Sequence, residues 1–246
     1  MVEWVTRAQL PELTEAFCRK LDAVAAETAG GLPVALTGGR SAGAFYEAWA
    51  LHGVDARWQF YWSDERLVPG DDDDSNVKLG MEKLMHPAQV AEDRIHAPRT
   101  ALPGKECAAD YAATLRLSVS ANSGGTPEFP LLILGMGADG HTGSLFPGRN
   151  PYEQQEKLVR AVAATPAHSH DRITFTPQLI NAARQVWFLV TGAAKAWAVE
   201  QLAERKATVE QFPALVVDPA VTSITVFADE SSTGGRNYRR MDAIKL

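Results

Sequence analysis

Residues 130–148 read PLLILGMGADGHTGSLFPG. Residues 131–134 are an apolar run of strand length, and the turn that follows carries four glycines, one acid and one histidine, Asp139 and His141. A buried strand that ends in a reactive loop suits an open α/β sheet, in which ligand groups collect at the carboxyl ends of strands. Gly135, Gly137 and Gly140 match the spacing GxGxxG. A dinucleotide fingerprint needs a full helix to open at its third glycine, and Pro147, Gly148 and Pro151 leave no room for one. His141 is the better clue. An imidazole with an ordinary pKa of about 6.5 accepts a proton near neutral pH, and Asp139 is close enough in sequence to orient or polarise it. A histidine tied to loop carbonyls is the alternative.

The same succession of strand, glycine turn and helix occurs twice more. Residues 32–36 run into Thr37, Gly38 and Gly39, followed by Arg40, Ser41 and a helical pattern with Phe45, Ala48 and Trp49 on one side. Residues 185–190 run into Thr191 and Gly192, then a helix expected over 193–205. Glycines let the backbone approach an anion, and the first turn of a helix offers unpaired N–H groups at its positive end. Arg40 and Ser41 stand where they add contacts; equally, the glycines make only a tight turn and Ser41 only caps the helix. No Gly-Lys-Ser/Thr follows, which excludes a Walker A loop. Lys195 occupies the first turn of its helix, where the dipole disfavours a cation; an anionic ligand relieves that conflict, and chance surface placement is the alternative.

Residues 57–62 form an aromatic-rich strand pattern that runs into Ser63, Asp64, Glu65 and Arg66, then Pro69 and four aspartates at 71–74. Where that strand gives way to a loop, Arg66 is a candidate phosphate ligand and Asp64 and Glu65 are candidate hydroxyl ligands, with a solvated charge cluster as the alternative. The aspartates lack the alternation, central glycine and distal glutamate of an EF-hand, so no metal is expected there. Further helices are expected over 14–28, from the Ser75 cap to Pro87, over 105–120 and over 177–184, and further strands over 157–163, 172–176 and 221–227. His168 and His170 fall between two of these strands and are expected to be solvent-exposed, without the Cys or carboxylate partners of a metal site. Thr142 and Ser144 lie in no nucleophile-elbow sequence.

With 246 residues, 46% hydrophobic and 22% charged, and no low-complexity linker, the chain is expected to form one domain over 1–246, with 231–246 as a loosely ordered tail. A net charge of −6, with only Arg236, Arg239 and Arg240 clustered, argues against a nucleic-acid surface, so an anion site has to be built locally. Cys18 and Cys107 lie in helical patterns and read as buried thiols of a reduced compartment. No signal-peptide core or membrane span is visible, and a soluble, cytoplasmic protein is expected.

Four blocks, LTGGRSAG, WSDERLVP with DDSN after it, LILGMGADGHTGSLFPG and RITFTPQLINAARQVWFLVTGAAKA, resemble the 6-phosphogluconolactonases, in the family's order, across about residues 35–200. The resemblance implies an α/β fold, a Rossmann-like, mostly parallel central sheet with helices on both faces, shared with glucosamine-6-phosphate deaminases and ribose-5-phosphate isomerases. The alternation of strands and helices agrees. It also implies hydrolysis of 6-phospho-D-glucono-1,5-lactone to 6-phosphogluconate in the oxidative pentose phosphate pathway, with no metal or organic cofactor. A small sugar-phosphate lactone is then the partner, without nucleic acid or membrane, and a monomer or weak homo-oligomer is expected.

On this resemblance the phosphate is expected among Gly38, Gly39, Arg40, Ser41, Arg172 and Lys195, with Arg66 near the phosphate or the sugar. His141 is the general base and Asp139 orients it, while N–H groups near Gly137 and Gly140 face the oxyanion. Ser41 and Ala42 stand where a Thr-Pro pair is common, and a hydroxyl is retained; the last strand and the tail match less well. The sister deaminases share the GxGxDGH loop but continue with an Asn-Glu-Pro element whose glutamate assists ring opening, whereas this chain has Leu145, Phe146 and Pro147. A sugar-phosphate-binding regulator on this fold adds a DNA-binding helix-turn-helix, for which the chain has neither the length nor a basic recognition helix.

Overall fold

The computed structural model describes residues 2–238. Strand β5 (Leu131–Gly135) is buried because it lies in the middle of a sheet, paired in parallel with β2 (Leu32–Leu36) on one side and β8 (Gln185–Val190) on the other. Beyond β2 lies β3 (Trp58–Trp62), and beyond β8 lie β9 (Ser223–Asp229) and β1 (Val2–Arg7). The six strands run parallel in the order β1-β9-β8-β5-β2-β3. Parallel strands covered on both faces read as continuous apolar runs, which is why β2, β5 and β8 stand out in the sequence.

The period of two along a strand divides the core between the two faces. Leu131 and Ile133 of β5 pack into one cluster with α1 (Leu10–Glu27) and α2 (Arg40–His52), through Leu13, Phe17, Leu21, Phe45 and Trp49. Leu132 and Leu134 pack into the other with α4 (Gly104–Ser118), α5 (Pro177–Asn181) and α6 (Ala196–Glu204), through Tyr111, Leu115, Leu179, Val199 and Leu202. The fold is therefore the expected α/β sandwich. Phe17 is the pin of the first layer, edge-on to Phe45, Trp49, Trp187 and Phe227 at centroid distances of 5.2 to 6.1 Å. Cys18 and Cys107 are buried free thiols, each pushed up to about 11, chiefly by burial.

Several elements differ from expectation. The SDER block is not a loop: β4 (Asp64–Arg66) pairs antiparallel with β7 (Arg172–Phe175), which pairs antiparallel with β6 (Val159–Val162), making a second, three-stranded sheet. β1 was not anticipated; as an edge strand it is half exposed and carries charges at both ends, so no apolar run marks it. Ser75 does cap a helix, its Oγ accepting from Lys78 N at 3.1 Å, but α3 (Asn76–Gly80) gives way after five residues to a π-type turn, Met81–Met85. α5 ends at Asn181 rather than at 184, and a 3₁₀ turn, Ala193–Lys195, precedes α6.

The expected loose tail is packed as far as it is described. α7 (Glu230–Thr233) follows β9 directly, capped by the Asp229 carboxylate accepting from Ser232 N at 2.9 Å, and Tyr238 stacks on Trp4 at 4.6 Å. Arg239, Arg240 and the rest of that segment lie outside the described residues. Among the described residues no helix is long and apolar enough to cross a membrane.

Candidate active site

A cavity of about 380 Å³ opens at the carboxyl ends of β2, β5 and β8. The chain moves from β2 outward to β3, and from β5 outward in the other direction through β8 to β9, so the cavity sits where the winding of the sheet reverses. Its size is that of a small-molecule site.

The first wall is the segment after β2. The Tyr46 hydroxyl accepts from Thr37 N at 2.9 Å and donates to Thr37 O at 2.7 Å, while Thr37 Oγ1 accepts from Gly135 N at 3.0 Å; these bonds lock the ends of β2 and β5 together. A Cβ at residue 38 would lie 1.7 Å from Asn76 Oδ1, so glycine fits with Asn76 where it stands and any other residue would displace that amide. Gly39 begins α2 without a side-chain cap, which leaves the positive end of that helix open to the cavity. Ser41 does not cap it either: its Oγ accepts from Thr191 Oγ1 at 2.9 Å and from Thr191 N at 3.3 Å, joining α2 to the end of β8.

The second wall follows β8. Gly192 N donates to the Asp229 carboxylate at 3.0 and 3.2 Å and so aims the Ala193–Lys195 turn at the cavity, which Lys195 lines. Burial pushes the Lys195 ammonium below its ordinary value, Asp139 pulls it back up, and Arg40 adds to the depression.

The third wall comes from the small sheet. Arg66 and Arg172 face each other across the β4–β7 register, and the buried Nε of each hydrogen-bonds no described residue. An Arg66 terminal nitrogen donates to the Asp74 carbonyl. Burial, then the neighbouring Arg66, lowers the Arg172 guanidinium, against the pull of Asp64. Asp64 is the carboxylate of the cavity lining, its Oδ2 accepting from Ser144 Oγ at 2.8 Å. Arg40, Arg66, Arg172 and Lys195 thus face a single acid, inside a chain of net charge −6.

Glu65 does not join them. Strand alternation turns it to the opposite face, where it is fully buried and accepts from the backbone N–H groups of Arg66, Asn76 and Val77 at 2.7, 2.8 and 2.6 Å and from Ser75 Oγ at 3.1 Å. Burial pushes its pKa up and the three N–H groups pull it down. Its role is to brace the Ser75–Val77 corner, and so to hold Asn76 against Gly38.

The loop after β5 supplies the chemistry. His141 Nδ1 lies 2.6 Å from Asp139 Oδ1, which also accepts from His141 N at 3.2 Å. Burial pushes the Asp139 carboxyl up, but the hydrogen bond and charge of His141 prevail and hold it at about 2. Asp139 sits behind the imidazole and His141 lines the cavity, with no described residue bonded to its Nε2. A Cβ at Gly137 would lie 2.1 Å from His141 Nδ1 and 2.2 Å from Asp139 Oδ1, so the pair closes over a bare backbone.

The expected oxyanion donors are already engaged: Gly137 N donates to His141 O at 2.8 Å and Gly140 N to Gly137 O at 3.1 Å. Gly140 packs on Phe212 outside the cavity. Thr142 Oγ1 donates to Gly135 O at 2.8 Å and Ser144 Oγ to Asp64, so both hydroxyls serve the loop.

Sequence reasoning missed polar residues of the lining and misjudged two histidines. Asn76 and Thr191 line the cavity; both lay within the quoted blocks but had no visible partner. His168 is half-buried rather than exposed, stacked on Phe146 at 3.8 Å with its centroid 5.7 Å from that of His141. His170 is also half-buried and does have a carboxylate, Asp74 Oδ2 at 2.9 Å from its Nε2. Nothing in the sequence pairs Phe146 with His168, which lie on different loops. Among the described residues no three His, Cys, Asp or Glu side chains converge as metal ligands.

Residues 7–226 match the family model described as glucosamine-6-phosphate isomerases/6-phosphogluconolactonase. Over 196 residues the chain is 35% identical to 6-phosphogluconolactonase 3, chloroplastic, of Arabidopsis thaliana, a match covering 77% of this chain and 59% of that one. Over 177 residues it is 37% identical to the 6-phosphogluconolactonase of Homo sapiens, covering 72% and 67%. The crystal structure of 6-phosphogluconolactonase from Thermotoga maritima superposes with a TM-score of 0.78 at 26% identity, covering 93% of this chain and 100% of that one. The match spans about six-tenths of the length of two of the chloroplastic relatives, 59% and 62%, and 71% of a third. In sequence and in the arrangement of its sheet and loops, the chain belongs to the glucosamine-6-phosphate isomerase/6-phosphogluconolactonase family.

Proposed function

We propose that the chain hydrolyses 6-phospho-D-glucono-1,5-lactone to 6-phosphogluconate, with His141 as the base that activates water. The observation that carries this reading is an imidazole held at Nδ1 by Asp139, its Nε2 bonded to no described residue, at a cavity whose lining sets four cations against one carboxylate. Arg66, Arg172, Lys195 and the open start of α2 take the phosphate, whose charge relieves their mutual repulsion. Phosphate binding far from the reacting carbon then positions the carbonyl against His141.

His141 Nε2 takes a proton from water as the oxygen attacks the carbonyl carbon, and returns a proton to the ring oxygen as that bond breaks. Asp139, ionised down to about pH 2, fixes the tautomer and stabilises the imidazolium that forms. With the Gly137 and Gly140 N–H groups engaged, neither holds the negative charge on the carbonyl oxygen, which is left to the positive field of the cavity as a whole. Leu145 and Phe146, both buried, stand where the deaminases carry a glutamate, which favours attack by water over opening of an amino sugar.

The test compares fresh 6-phosphogluconolactone with glucosamine 6-phosphate, following acid release and ammonia release separately. Acid release above the spontaneous rate, without ammonia, is expected. Ammonia release, or no acid above the spontaneous rate, defeats the proposal.

A further inference from the structure

The hairpin between β6 and β7 sets a second imidazole beside His141. Thr165 and His168 exchange backbone hydrogen bonds of 2.8 and 3.0 Å, and Ala164 N donates to Asp171 Oδ1 at 2.8 Å, so His168 is set by a closed turn. Its ring lies nearly parallel to Phe146, at 3.8 Å and 19°, and meets His141 edge-on, at 5.7 Å and 71°. Phe146 is almost wholly buried and carries the Arg172 guanidinium 5.6 Å from its ring centre. Stacking uses the face of an imidazole and leaves its nitrogens at the edge, and neither ring nitrogen of His168 hydrogen-bonds a described residue.

We infer that His168 is a specificity-determining residue that hydrogen-bonds the hydroxyl on the carbon next to the lactone carbonyl, an inference that rests on the lactonase reading above. Position is the first reason. The phosphate takes the cationic end of the cavity and the carbonyl meets His141, so a ring centred 5.7 Å from that of His141, beside the lining, is within reach of the neighbouring carbon. Chemistry is the second. Burial, then His141 and Arg172, push the His168 imidazole below its ordinary value, with Asp139 pulling the other way and Arg149 adding to the depression. A neutral imidazole offers one N–H and one bare nitrogen, which matches a hydroxyl that both accepts and donates. A phosphate would favour a cation there, and the leaving ring oxygen needs the proton that His141 already holds.

The test measures kcat/KM for 6-phosphogluconolactone and for its 2-deoxy counterpart, corrected for spontaneous hydrolysis, in the wild type, His168→Phe and His168→Gln. His168→Phe keeps a ring to pack on Phe146 and removes both nitrogens. The preference for the parent lactone is expected to fall about tenfold in the Phe variant, the worth of one hydrogen bond, and to be largely recovered by Gln, which has a donor and an acceptor. An unchanged preference, or equal losses on both lactones, overturns the inference and leaves His168 as a closure of the hairpin. A wild type active on both lactones without preference overturns it alone, whereas a wild type inert on both also overturns the lactonase reading.

Discussion

The two sheets contribute to the cavity in different ways. The six-stranded parallel sheet brings the turns beyond its strands: the glycines, the open start of α2 with Arg40, the loop that presents His141 and the turn that carries Lys195. The three-stranded antiparallel sheet brings charged side chains, Asp64, Arg66 and Arg172, and the hairpin that holds His168. A parallel sheet buried on both faces has few positions for charge along its strands, so its cations sit in the turns beyond them, whereas the accessory sheet carries Asp64, Arg66 and Arg172 within β4 and β7 themselves.

That division is broken most severely on the parallel side. His141→Ala is expected to lower kcat/KM about 10³-fold, within the range for loss of a general base, with an unchanged thermal midpoint; near wild-type hydrolysis after correction for the spontaneous reaction defeats the assignment. On the accessory side Arg172→Ala is expected to cost about 2 kcal/mol of binding, as for a lost charged hydrogen bond, seen as a KM raised about thirtyfold with kcat little changed. A fall in kcat alone would move Arg172 from phosphate holding to charge stabilisation.

Glu65→Gln sharpens the contrast, because Glu65 belongs to the accessory sheet yet touches no substrate. Its loss leaves buried N–H groups poorly paired, and destabilisation of about 1 to 3 kcal/mol is expected in urea melts. A KM effect without loss of stability would place it back in the site.

Asp139→Asn is the smallest change and is read in pH. The folded-state pKa of Asp139, about 2, lies below the ordinary carboxylate value. Its contribution to stability is therefore complete above about pH 4 and fades as pH falls toward 2. Through the working range Asp139 is ionised and fixes the tautomer of His141. In Asp139→Asn the fading of stability toward pH 2 is expected to weaken, while the plateau of kcat/KM falls about tenfold. Stability that fades as steeply in the variant as in the wild type would mean that the imidazole does not hold the carboxylate.

Legibility in the sequence follows the same division. β2, β5 and β8 are unbroken apolar runs closed by glycine, and both their bounds and their ligand-bearing turns can be read directly. In the accessory sheet β6 and β7 fall within the expected strands 157–163 and 172–176, but β4 has three residues, all charged, too short for a period to show, and SDER therefore reads as a loop. The cost of that reading is visible at one residue. Once 64–66 is a strand, alternation alone sends Asp64 and Arg66 to the cavity and Glu65 to the other face. His168 had no such signal, since its partners Phe146 and His141 belong to another loop and meet it only through the tertiary fold.

One contact also constrains how the protein can change. The amide of Asn76 occupies the space in which any side chain at residue 38 would grow, and it donates to Asp64 O at 2.9 Å. Residues 38 and 76 are therefore a two-step lock: an alanine at 38 is admissible only after 76 has become smaller, and that first step already unties Asp64 from the corner that Glu65 braces. The accessory sheet and the β2 turn can then drift only together, by a route whose intermediate is worse than either end.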